Sequence, residues 1–176
     1  MNAPRILIMG VAGSGKSTLA GQLTRELGVA SIEGDDHHSP GNQDKMRRGI
    51  PLEDADRIPW LDALGALLAA RVCGAVLTCS ALKRGYRDRL RQAVPDLSIV
   101  FLDIAPDVAH ARVAERPAHL FPPSLVRSQF ETLEPPLGES GVLRVDANRS
   151  RREQLRAVLT WLGRTSATPA TPATPA

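Results

Sequence analysis

The feature that most constrains this chain is a short apolar run, Ile6-Leu7-Ile8-Met9, which leads straight into Gly10-Val11-Ala12-Gly13-Ser14-Gly15-Lys16-Ser17. The octapeptide satisfies G-x-x-x-x-G-K-[ST] at every position, and it sits where that pattern has meaning, between a strand and a helix. After it, Leu19, Ala20, Leu23 and Leu27 recur at helical spacing from Lys16 to Leu27, and Gly28 closes the segment. Glycines let the loop turn its N–H groups inward around a phosphate, and the helix N-terminus adds partial positive charge. Lys16 is expected to reach the β- and γ-phosphates and the Ser17 hydroxyl to ligate Mg²⁺. The sequence thus predicts an ATP site built from Gly10, Ala12, Gly13, Ser14, Gly15, Lys16, Ser17 and Thr18.

The remainder of the chain continues the alternation. A second strand over 30–33 ends at Gly34-Asp35-Asp36, so strand, helix and strand fit one βαβ unit. Further strands are expected over 75–79, 98–104 and 142–146, with helices over 56–72, 83–92, 106–115, 124–133 and 151–162. Residues 43–48 have the makings of one short helix in an otherwise polar stretch. With aromatics at only 3%, the core must be aliphatic, which suits buried parallel strands. The expected fold is α/β: a doubly wound, parallel, five-stranded sheet of the P-loop NTPase type, with helices on both faces and ligands at the strands' carboxyl ends. One domain over 1–163 is expected, with a mobile lid at about 116–123, where three prolines cluster. The Thr-Pro-Ala repeats within 164–176 have nothing to bury and are expected to be disordered.

Bulk properties narrow the partners. The net charge of +3 is carried mainly by arginine, yet no run of five basic residues occurs and aromatics for base stacking are scarce. A nucleic-acid partner is therefore disfavoured against an anionic small molecule or a plain solvated surface. Cys73 and Cys79 have neither metal-ligand spacing nor the makings of a disulfide framework. The N-terminal apolar run is too short for a signal or a membrane span, which predicts a cytoplasmic protein with no membrane partner.

The acceptor side begins at Asp35, just past the second strand. Phosphoryl transfer to an alcohol needs a carboxylate that orients the hydroxyl and takes its proton, or that holds Mg²⁺ through water; a plain turn would also use aspartate here. His37 and His38 beside two aspartates make a poor transition-metal site, because adjacent histidines rarely face one ion; an acceptor contact or a polar loop role fits better. Cys79, at the end of an apolar strand, reads as a small buried hydrophobe.

Several stretches then resemble one family. Gly34-Asp35, His38, Asn42, Lys45-Met46, Gly49, Pro51-Leu52, Asp54, Asp56-Arg57 and Pro59-Trp60-Leu61 resemble the signature of gluconokinases. Cys79-Ser80-Ala81-Leu82-Lys83, Tyr86-Arg87-Asp88 and Leu90-Arg91 resemble that family's third-strand motif, and Ser128-Gln129-Phe130 with Leu133-Glu134-Pro135 its segment after the lid. The resemblance spans about 5–162 and implies ATP-dependent phosphorylation of D-gluconate at its 6-hydroxyl, in a homodimer. Gluconate is a polyol with one carboxylate, so Arg57, Ser80, Lys83, Arg127 and His38 join Asp35 as candidate acceptor contacts, each arginine or lysine having a surface ion pair as its alternative. Arg112 and Arg116 flank the lid and are expected to balance charge on the transferring phosphoryl group, although Arg116-Pro117-Ala118-His119 departs from the family's usual glycine before histidine. Two rivals stand beside this reading: a kinase of another small anion such as shikimate, and a nucleotide-binding regulatory module without turnover. Cys79-Ser80-Ala81 lacks the glycine-rich run of shikimate kinases, and the intact Lys16, Ser17 and Asp35 argue against the module.

Overall fold

The computed structural model describes residues 3–115, 122 and 124–166, with side chains to 163. Five strands, β1 (Arg5–Met9), β2 (Ala30–Glu33), β3 (Ala75–Thr78), β4 (Ser98–Asp103) and β5 (Val142–Asp146), form one sheet in the order β2-β3-β1-β4-β5. Every pairing is parallel, with Leu7 opposite both Leu77 and Ile99. The doubly wound sheet expected from the alternation is therefore present, with β1 at its centre.

Side-chain alternation along β1 divides the core into two layers. Ile6 and Ile8 face a cluster that includes Leu19 and Leu23 of α1 (Lys16–Leu27), Ala109 and Val113 of α5 (Pro106–Ala114), Val126 of α6 (Ser124–Thr132), and Val158 and Leu162 of α7 (Arg151–Ser166). Leu7 and Met9 face the other layer, with Leu61, Leu64 and Leu68 of α3 (Asp54–Ala69) and Leu90 of α4 (Arg84–Ala93). All four β1 residues named are fully buried, as a central parallel strand requires.

Two helices start earlier than their apolar patterns indicate, and their caps explain it. The helix expected over 43–48 runs instead as α2, Pro40–Arg47, because the Ser39 side chain accepts from the Asn42 N–H at 3.2 Å and Pro40 opens the first turn. The helix expected from 56 starts at Asp54: the Glu53 and Asp56 side chains cap each other's backbone N–H in a capping box, and Pro59 is accommodated inside the helix. The other elements agree with expectation at their starts or within a residue or so; the main difference is α7, which runs on to Ser166. Gly34–His37 forms a short 3₁₀ helix immediately after β2. The lid arginine Arg116 and nearly all of the expected lid and tail lie outside the described residues. Among the described residues no helix is long and apolar enough to cross a membrane.

Candidate active site

The carboxyl ends of β1, β2 and β3 open into one chamber of about 870 Å³, part of it continuous with solvent. Ala12, Gly13, Gly15, Lys16, Ser17 and Thr18 line one side of it; Asp35, His38, Arg57, Trp60 and Ser80 line the other. Residues up to 68 positions apart in the chain thus meet because three parallel strands end side by side. Gly10 and Ser14 are buried behind the lining.

The cradle has the shape its glycines permit. Gly13 has φ +80°, and a Cβ there would lie 2.7 Å from the Ala109 carbonyl oxygen, so α5 packs against the loop too closely for any side chain. Lys16 Nζ donates to the Val11 carbonyl at 3.1 Å, folding the ammonium back over its own loop. Arg112 reaches the same loop from α5: it donates to Gly13 O at 3.5 Å, and to Ala147 O and Asn148 Oδ1 at 3.2 Å. Arg112 lies outside the chamber's lining, its guanidinium held by these acceptors at the edge of the cradle.

The acceptor side is built on β2 and α3. Gly34 N–H donates to Thr78 Oγ1 at 3.3 Å, and the Trp60 indole N–H donates to Gly34 O at 2.9 Å, so both backbone polar groups of Gly34 are anchored just before Asp35. Thr78 Oγ1 in turn donates to Glu33, another chamber residue. His38 stacks on Trp60 with ring centroids 4.0 Å apart; it is 7% exposed and its Nδ1 is buried without a hydrogen-bond partner. Burial holds its pKa below the ordinary histidine value; Asp35 opposes that shift and Arg57 reinforces it. The imidazole is therefore neutral near pH 7, with one nitrogen to donate and one to accept. Arg57 lies over the Tyr86 ring at 5.8 Å, and Tyr86 donates its hydroxyl proton to Asp54.

Not every candidate enters the chamber. Lys83 is outside its lining: the ammonium pairs with Asp54 at 2.7 Å and lies 5.6 Å over the Tyr86 ring. Arg127 is a correction. Its side chain is 90% exposed and pairs with Glu131 at 2.9 Å, one turn along α6, because position 127 falls on the solvent face of the helix. Leu125, Ser128 and Gln129 face the chamber instead. Cys79 is 1% exposed, and burial pushes its thiol up to about 12, so it serves as a packed apolar group rather than a nucleophile.

Sequence reasoning missed Gln129, Glu33 and the second role of Trp60. Gln129 Oε1 accepts the Ala12 N–H at 2.6 Å, joining α6 to the cradle. The spacing 125, 128, 129 was the available signal, since it marks one helical face. Trp60 stands in the sequence as part of the Pro59-Trp60-Leu61 motif, with nothing local to show its hydrogen bond to Gly34 or its stacking on His38.

Among known proteins, a family model described as an AAA domain matches residues 6–136. The gluconokinase of Gluconobacter oxydans is 44% identical over 150 residues, covering 83% of this chain and 84% of that one. A probable gluconokinase of Mus musculus is 39% identical over 180 residues, covering 90% and 98% respectively. The crystal structure of a gluconokinase from Sinorhizobium meliloti superposes with a TM-score of 0.85 at 44% identity, over 93% of each chain. Identity at this level over nearly whole chains, on a shared fold, shows that the chain belongs to the gluconokinase family.

Proposed function

We propose that this protein transfers the γ-phosphoryl group of ATP to the 6-hydroxyl of D-gluconate, giving 6-phospho-D-gluconate and ADP. The observation that carries the reading is that a single chamber joins the Lys16–Ser17 end of the cradle to Asp35, His38, Arg57 and Ser80. A donor phosphate on one side and a polyol on the other then share one space, which positions the reactants for in-line transfer.

Roles follow from the chemistry of each group. Backbone N–H groups of the cradle and Lys16 bind the β- and γ-phosphates, with Arg112 at the edge and Arg116 proposed to join it from the lid. Asp35 orients the 6-hydroxyl and takes its proton as the new P–O bond forms and the bond to ADP breaks. Arg57 pairs with the gluconate carboxylate; His38 and Ser80 hydrogen-bond its hydroxyls, and the Trp60 face supports the carbon chain. Lys83, held by Asp54, supports Arg57 through the shared Tyr86 ring.

The donor set suits Mg²⁺. Ser17 and Asp35 offer oxygen ligands to the same chamber, and among the described residues no group of three or more His, Cys, Asp or Glu forms a dedicated metal cage. Mg²⁺ keeps several waters and shares phosphate oxygens, so one hydroxyl and one carboxylate are enough protein ligands. When bound, it neutralises charge on the β- and γ-phosphates. The same reading includes a homodimer, resting on the family resemblance, and a cytoplasmic location, supported by two free cysteines, one of them exposed. Light scattering at twice 18.9 kDa checks the first and cell fractionation the second.

The test is the Asp35→Asn enzyme with product analysis. ATP binding should persist while turnover drops about a hundredfold or more, and wild-type product should carry its phosphate on C6. Near-normal turnover by Asp35→Asn would remove Asp35 from the role of base.

A further inference from the structure

Helix α6 presents one face to the chamber, Leu125, Ser128 and Gln129, at positions i, i+3 and i+4. Of these, Leu125 is apolar, and the Ser128 hydroxyl donates to the Leu125 carbonyl at 2.9 Å. With the Ser128 proton so engaged, Gln129 is the residue of this face that can still donate to a ligand. Its oxygen is already engaged by the Ala12 N–H at 2.6 Å, and Ala12 is the third residue of the phosphate cradle. A backbone N–H can only donate, so the oxygen end of the carboxamide is fixed on the cradle and the nitrogen end retains its two donors.

We propose that Gln129 is an acceptor-binding residue: Nε2 donates to a hydroxyl oxygen of the polyol, while Oε1 on Ala12 fixes the register between the acceptor's helix and the nucleotide's loop. The proposal rests on the kinase reading above and adds a specificity-determining contact to it. A carboxamide suits the place on charge grounds. A lysine or arginine there would compete with Lys16 for the phosphates, and a carboxylate would repel both phosphates and the acceptor's own carboxylate. The bond to Ala12 fixes the carboxamide in one orientation, which lowers the ordering cost of a contact through its nitrogen.

The experiment compares gluconate with a series of deoxygluconates, each lacking one non-reacting hydroxyl, in wild type, Gln129→Met and Gln129→Glu. In wild type, one analogue should lose at least about 10-fold in kcat/KM, because a donor built to meet that hydroxyl is left unpaired. In Gln129→Met that penalty should collapse to about twofold or less, while penalties at the other positions persist. Gln129→Glu keeps an oxygen for the Ala12 N–H and so keeps its fold if the clamp is all that α6 needs; it too should lose the selective penalty. A penalty pattern unchanged from wild type in both variants, whatever their overall rates, would overturn the proposal and leave Gln129 a structural clamp. Failure of wild type to use gluconate at all is a separate result: it removes the gluconate reading, and the same comparison on analogues of the true acceptor then decides Gln129.

Discussion

Gly34→Ala should disable this protein from a position that touches no substrate. A Cβ at residue 34 would lie 2.2 Å from the Thr78 carbonyl oxygen, against a practical limit of 3.0 Å, with Leu64 Cδ1 and the Thr78 carbonyl carbon both at 3.4 Å. The obstacle is backbone of the adjacent strand, so no side-chain rotation relieves it, and β2 and β3 must part by about 0.8 Å. Overpacking of this kind costs about 1–3 kcal/mol. For a chain of this length about 2 kcal/mol lowers Tm by roughly 4–8 °C. The same displacement pulls on the Trp60–Gly34 and Gly34–Thr78 hydrogen bonds and carries Asp35 with it. A shift near 1 Å in a positioned group costs about a hundredfold in rate. Steady-state kinetics on gluconate with a thermal melt reads both effects, with the KM for ATP staying near wild type because the cradle is built on β1. Gly21→Ala is the matched control: nothing lies within 4 Å of its added Cβ, and alanine in α1 should stabilise by about 0.5–1 kcal/mol with kcat unchanged. A Gly34→Ala enzyme with wild-type Tm and kcat within twofold would refute the claim that Asp35 is held by this close approach.

Other expectations follow from the same contacts. Arg87 is fully buried, donates to the Ala81 and Leu82 carbonyls at 2.9 and 3.0 Å, and pairs with Glu139, which also binds Arg91. Arg87→Met leaves Arg91 as the carboxylate's remaining partner, strips the Ala81 and Leu82 carbonyls of their donor and frees Ala81, which sits at φ +43°, so urea unfolding should show a loss of about 1–3 kcal/mol. His38 gives the stability a pH dependence of definite sign. Its folded pKa lies below the unfolded 6.5, so the unfolded chain takes the proton first; stability is complete above about pH 6.5 and falls as pH drops below it. Melts of His38→Asn between pH 7.5 and 5 should be flatter than wild type, and an identical slope would show that another group titrates. Arg127→Ala, by contrast, should leave gluconate KM and Tm within experimental error, since an exposed i,i+4 pair contributes about 0.3–0.5 kcal/mol.

What the sequence made legible is the nucleotide side. β1, the cradle and α1 form one contiguous stretch, 5–27, in which each residue's task is local: an apolar run, glycines for turning, a lysine, a hydroxyl, then a 3.6-residue stripe. The acceptor side is assembled from segments scattered between Glu33 and Gln129, and which residues face inward depends on strand order and helix phase. Strand order leaves no local trace, because parallel neighbours such as β1 and β4 are joined through the whole intervening chain. Helix phase decided Arg127 against Gln129: charge drew notice to the arginine, while the 125/128/129 spacing pointed to the glutamine. The starts of α2 and α3 were hidden for a different reason, since their signals are caps, Ser39-Pro40 and Glu53 with Asp56, lying ahead of any apolar periodicity. Asp35 and His38 are candidates from their place after β2, the resemblance brings in Arg57 and Ser80, and the chamber gathers these four around one space.

The measurement that bears most directly on the account is ADP release from MgATP across a panel of gluconate, shikimate, common hexoses and nucleoside monophosphates. The chamber's pairing of a phosphate cradle with Arg57, His38 and Asp35 predicts strong turnover on gluconate and background rates on the rest. Turnover confined to another acceptor, or ATP binding with no turnover on any, would contradict it.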